Sequence, residues 1–95
     1  MENNEKIVKF IAENKLELTS VAGSNLNSAC TILAGYALYI GIDDVHILNE
    51  YVEESLGHST SYEYDEEMNN VFEFAQDNNY GAFWRTKKAK DMYKF

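Results

Sequence analysis

Residues 26–40, LNSACTILAGYALYI, decide the fold class. Leu26, Ala29, Cys30, Leu33, Tyr36, Ala37 and Ile40 recur at the three- and four-residue spacing of one helix face. The other side carries Ile32, Ala34, Leu38 and Tyr39, so this helix is apolar nearly all round and belongs at the centre of a domain. Ser24 or Asn25 can cap its start, and Gly41 is a natural stop. The apolar run from Ala29 to Ile42 is interrupted by Thr31, Gly35 and Gly41 and falls short of the roughly 20 residues of a spanning helix.

Upstream, Ile7, Phe10 and Ile11 recur at helical spacing between Asn4 and Asn14, with Glu5, Lys6, Lys9 and Glu13 on the opposite side. Between them and the central helix, Lys15 to Ser24 alternates Leu16 with Leu18 and carries Val21. This stretch reads as an extended connector or a short strand near residues 16–21. Downstream, Asp43 caps a helix that turns Val45, Leu48, Val52 and Leu56 inward and ends at Gly57. Thr60 with Glu63 has capping-box spacing for a further helix carrying Tyr64, Met68, Val71, Phe72 and Ala75, broken by Asn78, Asn79 and Gly81. A last short helix starts at Thr86 and sets Ala89, Met92 and Tyr93 against the core. The expectation is a mainly all-α single domain over residues 1–95, an irregular or orthogonal bundle of four to five helices.

Composition agrees. The 95 residues are 45% hydrophobic and contain no proline, which supports a packed core despite a net charge of −8. The opening Met1, Glu2, Asn3, Asn4 and Glu5 lacks the basic start and apolar run of a secretory signal, so a cytoplasmic location is the expectation. The lone Cys30 has no intrachain disulfide partner and, within an apolar stripe, behaves as a small hydrophobe.

Charge is distributed unevenly. From Leu16 to Trp84 there is no lysine or arginine, yet that span holds twelve acidic residues, from Glu17 to Asp77. The last eleven residues reverse this, with Arg85, Lys87, Lys88, Lys90 and Lys94 against Asp91. The densest acids are Asp43, Asp44, Glu50, Glu53 and Glu54 on the third expected helix and Glu63, Asp65, Glu66, Glu67, Glu73 and Asp77 on the fourth. A short connection makes the two helices antiparallel neighbours whose outer faces can merge into one negative surface. Such a surface disfavours direct nucleic-acid binding, which depends on Lys and Arg neutralising phosphates, and suits a basic protein partner. Tyr51 and Tyr62 lie among the acids and belong to a residue type enriched in binding hot spots. Two plainer accounts compete: acids at helix starts offset the helix dipole, and acidic charge solubilises. Capping leaves Glu53 and Glu54 unexplained, since both fall in a last turn, where negative charge is unfavourable.

Catalytic chemistry is thinly represented. His46 and Glu50 are four apart and can reach one metal ion, with His58 and Asp43 or Glu54 to complete a set, but this spacing arises often by chance among sixteen acids. Glu53 and Glu54 point about 100° apart on a helix and do not form a catalytic pair. Ser24, Ser28 and Thr31 have no histidine nearby, and no glycine-rich phosphate loop occurs. The reading is a non-enzyme without cofactor. It binds no nucleic acid or membrane directly, and engages a basic protein whose surface can be one that normally receives nucleic acid. No family motif is present; by analogy alone, small acidic inhibitors of phage origin, including anti-CRISPR proteins and other DNA mimics, work through such surfaces. The alternative is a structural or oligomerising regulatory subunit, homodimeric through Leu38, Tyr39 or Phe83. The basic C-terminal segment, with Tyr80, Phe83, Trp84 and Tyr93 around Arg85, Lys87, Lys88 and Lys90, combines rings and cations as single-strand binders do. The stronger reading is that Phe83 and Trp84 anchor the last helix onto the core and the positive tail pairs with the acidic helices.

Overall fold

The computed structural model describes residues 3–95. Its elements are α1 (Asn3–Glu13), α2 (Lys15–Ser24), α3 (Leu26–Tyr39), α4 (Val45–Leu56), α5 (Tyr62–Asp77), a 3-10 helix (Tyr80–Arg85) and α6 (Lys87–Met92). Among the described residues there is no strand, and the domain is all-α, an irregular bundle with more helices than the four or five expected. No helix among them is long and apolar enough to cross a membrane. Met1 and Glu2, which the reading of the opening residues used, lie outside the described residues.

α3 is the hub. Ala29, Cys30, Leu33, Ala34, Gly35, Tyr36 and Ala37 are all buried, and α2, α5 and the 3-10 helix pack around it, while α4 packs on α1. Asn25 is its cap, accepting from the Ser28 amide at 3.3 Å. The chain leaves the helix through Gly41 at φ 99°, a left-handed conformation that costs glycine little. Gly57 ends α4 in the same way, at φ 78°.

The largest departure is α2. The Leu16/Leu18 alternation suggested an extended segment, but Lys15–Ser24 is a helix that follows α1 after the single residue Asn14. Leu18 is buried while Leu16 is 89% exposed, so the apparent period of two places only one leucine in the core. Lys15, Leu18, Thr19 and Ala22, at helical spacing, line a hollow of about 500 Å³ shared with α1, α3 and the end of α4. An isolated strand here would leave its amides and carbonyls without a ladder partner; a helix satisfies them internally.

Two caps lie one residue later than the sequence suggested. Asp44, not Asp43, has the extended backbone ahead of α4, and its carboxylate accepts from the His46 amide at 2.8 Å. Ser61, not Thr60, caps α5 by accepting from the Tyr64 amide at 3.1 Å. The Thr60 hydroxyl donates to Asp65 instead, so the Thr60–Glu63 capping box does not form. Leu56 and Met92, expected inside, are exposed. Leu56 ends its helix at the rim of the hollow, and after the short α6 the extended backbone at Tyr93 brings that ring to the core in place of Met92. Thr86 caps α6 as expected, accepting from the Ala89 amide at 3.3 Å.

Trp84 fixes the C-terminal part. It is 2% exposed, with ring centroids 5.3 Å from Phe10, 5.4 Å from Tyr36, 5.0 Å from Tyr93 and 5.3 Å from Phe95. Gly35 makes room for it: a Cβ there would lie 2.8 Å from Trp84 Nε1. Asn14 secures the last residues, donating from Nδ2 to the Lys94 carbonyl and accepting at Oδ1 from the Lys94 amide, both at 2.8 Å.

Candidate protein-binding surface

Two hydrogen bonds define how the acidic helices lie. The Thr60 amide, just before α5, donates to Glu53 Oε2 at 3.2 Å near the end of α4. At the other end of the pair, Gln76 Nε2 in the last turn of α5 donates to the Asp43 carbonyl at 3.3 Å, just before α4. The start of each helix therefore meets the end of the other, as two antiparallel neighbours require. They are tied mainly at their ends, because α5 packs chiefly on α3 and α4 chiefly on α1.

The acids divide into two groups. Asp44 caps α4, Glu53 holds the Thr60 amide, Asp65 takes the Thr60 hydroxyl, and Glu67 accepts from Asn27 Nδ2 at 2.7 Å. These four have local structural work. Asp43, Glu50, Glu54, Glu63, Glu66, Glu73 and Asp77 are exposed, and their carboxylates make no hydrogen bond or ion pair among the described residues. Along α5 the acids at 63, 66, 73 and 77 fall at steps of three, seven and four on the face opposite buried Met68 and Phe72, while Glu67 lies at the edge of that face towards α3. On α4, Glu50, Glu53 and Glu54 lie away from buried Leu48 and Val52. The role of Glu53 in the α4–α5 turn supplies a local reason for a carboxylate in an unfavourable last turn. Glu54 acquires none.

Compensating cations do not reach these acids. Among the described residues the sole ion pair within 4.0 Å is Lys9–Glu13, at 3.7 Å on α1. Among the described residues, Arg85, Lys87, Lys88, Lys90 and Lys94 pair with no carboxylate, so the basic segment does not neutralise α4 and α5 by direct contact.

The tyrosines occupy different environments. Tyr62, the first residue of α5, is 74% exposed beside the acids, whereas Tyr51 is half-buried against the core. Tyr64 points inward as expected, and its buried hydroxyl has no hydrogen-bond partner among the described residues. Burial, then Cys30, Asp65 and Glu53, push its pKa up. Cys30 is fully buried, and desolvation followed by Glu67 raises its thiol to about 12. That shift opposes thiolate chemistry.

His46, Glu50, His58, Asp43 and Glu54 do not assemble: among the described residues no three His, Cys, Asp or Glu side chains come close enough to share a metal ion. Of the residues suggested for self-association, Leu38 and Tyr39 are half-buried on the core, and Phe83 is at the edge of exposure. Phe74 was missed. It stands on the outer side of α5, 56% exposed, with its ring 5.7 Å from Tyr80, and its position off the Met68–Phe72 stripe was the available signal. Compared with known proteins, the chain matches no family model, no curated protein and no solved structure.

Proposed function

We propose that this chain is a non-catalytic binding module that docks the exposed carboxylates of α4 and α5 onto a basic protein surface. The observation that supports this reading best is the absence of any ion pair to these acids among the described residues, in a chain that carries eight cations. A purely solubilising charge distribution gains nothing from keeping cations away from one helix pair, whereas a docking surface is held ready for cations supplied by a partner. Tyr62 and Phe74 add exposed aromatic area to the outer side of α5, of the kind that anchors interfaces. A basic partner includes one that otherwise binds nucleic acid, since its Lys and Arg would meet carboxylates where phosphates normally sit. The protein acts by occupying that surface, in the manner of an inhibitor.

The structure refines which residues to test. Glu53 and Glu67 hold the Thr60 amide and Asn27, so reversing them perturbs the fold as well as the charge. Reversal of Glu50, Glu54, Glu63 and Glu66 to lysine removes no hydrogen bond among the described residues. The expected outcome is an unchanged helical circular dichroism spectrum together with loss of the basic proteins that co-purify with the wild type and are identified by mass spectrometry. Retention of the same proteins by the folded variant refutes the reading.

A further inference from the structure

Half of the chain's cations gather in one place. Lys6 and Lys9 on α1, Lys90 on α6 and Lys94 just beyond it, four of the eight Lys and Arg residues, line a single cleft of about 320 Å³. Among the described residues no Asp or Glu side chain contributes to its lining, although acids outnumber bases two to one in this chain. The rest of the lining is aromatic or aliphatic. Phe10 and Tyr36, stacked at 4.1 Å and 12°, belong to the core, and Tyr39, Ile40 and Phe95 complete the walls. Tyr39 is half-buried and Phe95 39% exposed, so both present surface to a ligand.

The cleft is built across the whole chain. Asn14 holds both backbone polar groups of Lys94 at 2.8 Å, and the Phe95 ring packs 5.7 Å from Tyr36 and 6.1 Å from Tyr39. Lys94 is thereby fixed beside α1. Bringing four ammonium groups to one rim opposes folding through mutual repulsion, and among the described residues only Lys9 has a carboxylate within 4.0 Å, Glu13 at 3.7 Å.

We propose that this cleft binds a nucleoside phosphate, with the base against the Tyr39 and Phe95 rings and the phosphates among the four lysines. Lysine is a compact point charge suited to phosphate, and four of them match a multiply charged di- or triphosphate better than a monoanion. Aromatic rings beside cations are the arrangement on which nucleobases stack, and the volume lies within the range of small-molecule sites, about 300–1,000 Å³. The same chemistry is offered by a free nucleotide and by the 5′-triphosphorylated end of a single strand.

Isothermal titration calorimetry of the intact chain, with equilibrium dialysis for arms that give little heat, tests the proposal with ATP, adenosine, inorganic tripolyphosphate and a 5′-triphosphorylated oligonucleotide. ATP binds in a saturable, salt-sensitive manner, and adenosine and tripolyphosphate each bind at least about tenfold more weakly. Lys90→Ala and Lys94→Ala each weaken ATP binding severalfold, and Lys6→Glu abolishes it; Lys87→Ala and Lys88→Ala, outside the cleft, leave it unchanged. Glu13→Gln, which frees Lys9, strengthens it. All variants keep the wild-type circular dichroism spectrum, because the altered side chains are exposed or half-buried. Tighter binding of the oligonucleotide than of ATP assigns the ligand to a strand end, and the reverse order assigns it to a free nucleotide. The proposal is overturned by no saturable ATP binding up to millimolar concentration, by tripolyphosphate binding as tightly as ATP, or by Lys87 and Lys88 variants losing as much affinity as those of Lys90 and Lys94.

Discussion

The helix pair α4–α5 and the aromatic cluster around Trp84 are built on opposite plans. The helix pair is joined mainly at its two ends, by Thr60 to Glu53 and Gln76 to Asp43, and presents to solvent carboxylates that make no ion pair among the described residues. The cluster is joined through its interior, where Phe10, Tyr36, Tyr93 and Phe95 all lie within 5.4 Å of Trp84 by ring centroid. The contrast is a division of labour: interior contacts of the second region carry stability, while the first is free to keep surface charge that contributes little to the fold. Substitutions in the two regions should therefore separate cleanly, stability from binding.

The largest effect is expected at Trp84. Trp84→Ala removes the shared neighbour of Phe10, Tyr36, Phe83, Tyr93 and Phe95, and a buried tryptophan truncation costs about 3–5 kcal/mol. For a domain of this size that lowers the melting temperature by roughly 4–8 °C per kcal/mol, measured by thermal denaturation. If the melting temperature barely moves, the cluster is not where stability resides. Next comes Asn14→Ala. It strips the Lys94 amide and carbonyl of their partners, a loss of about 1–3 kcal/mol. It also frees the last residues, seen as faster amide hydrogen exchange after Met92 but not in α4 or α5. Equal acceleration in all helices would show that Asn14 is a global rather than a local fastening.

Within the acidic pair the expected losses are smaller. Asp44→Ala removes the α4 cap and costs about 0.5–2 kcal/mol, read from urea denaturation midpoints, whereas Asp43→Ala, which removes no cap, stays within about 0.5 kcal/mol. Equal losses at the two positions contradict the assigned cap. Alkaline pH sharpens the comparison from the core side. Burial raises the folded-state pKa of Cys30 to about 12 from an ordinary 9.0, and it also raises those of Tyr64, Tyr36 and Tyr93. Because the folded state holds these protons more tightly, their contribution is complete below about pH 9. It is lost as pH climbs towards 12, where the unfolded chain releases its protons first. The melting temperature should fall across that window; a flat profile would mean that the core opens to solvent at little cost.

Much of this division was legible in residue order. The all-round apolar character of 26–40 placed the hub correctly, and Gly57 and Thr86 marked real boundaries. Other features were not local enough to read. Asp43 and Asp44, like Thr60 and Ser61, are adjacent residues equally able to cap, and only the backbone angles of the folded chain choose between them. α2 was obscured because one of its two leucines faces solvent. The charge asymmetry that singles out the acidic helices is plain in the sequence, but the local tasks of Glu53, Asp65 and Glu67 are hidden there, since each depends on a partner distant in sequence or on the shape of a turn. The lysine cleft was least legible of all: it exists because Asn14 grips Lys94 across eighty positions, so cations at the two ends of the chain become neighbours.

The central claim is that exposed carboxylates on α4 and α5 form the contact with a basic partner, and its most direct test is the salt dependence of that affinity. Titration of the co-purified partner into wild-type protein, and into a variant with Glu50, Glu54, Glu63 and Glu66 changed to glutamine, should be run at several ionic strengths. The account predicts that wild-type affinity falls steeply as salt rises and that the variant binds weakly with a much shallower dependence. Equal affinity and equal salt slope for the two proteins would contradict it.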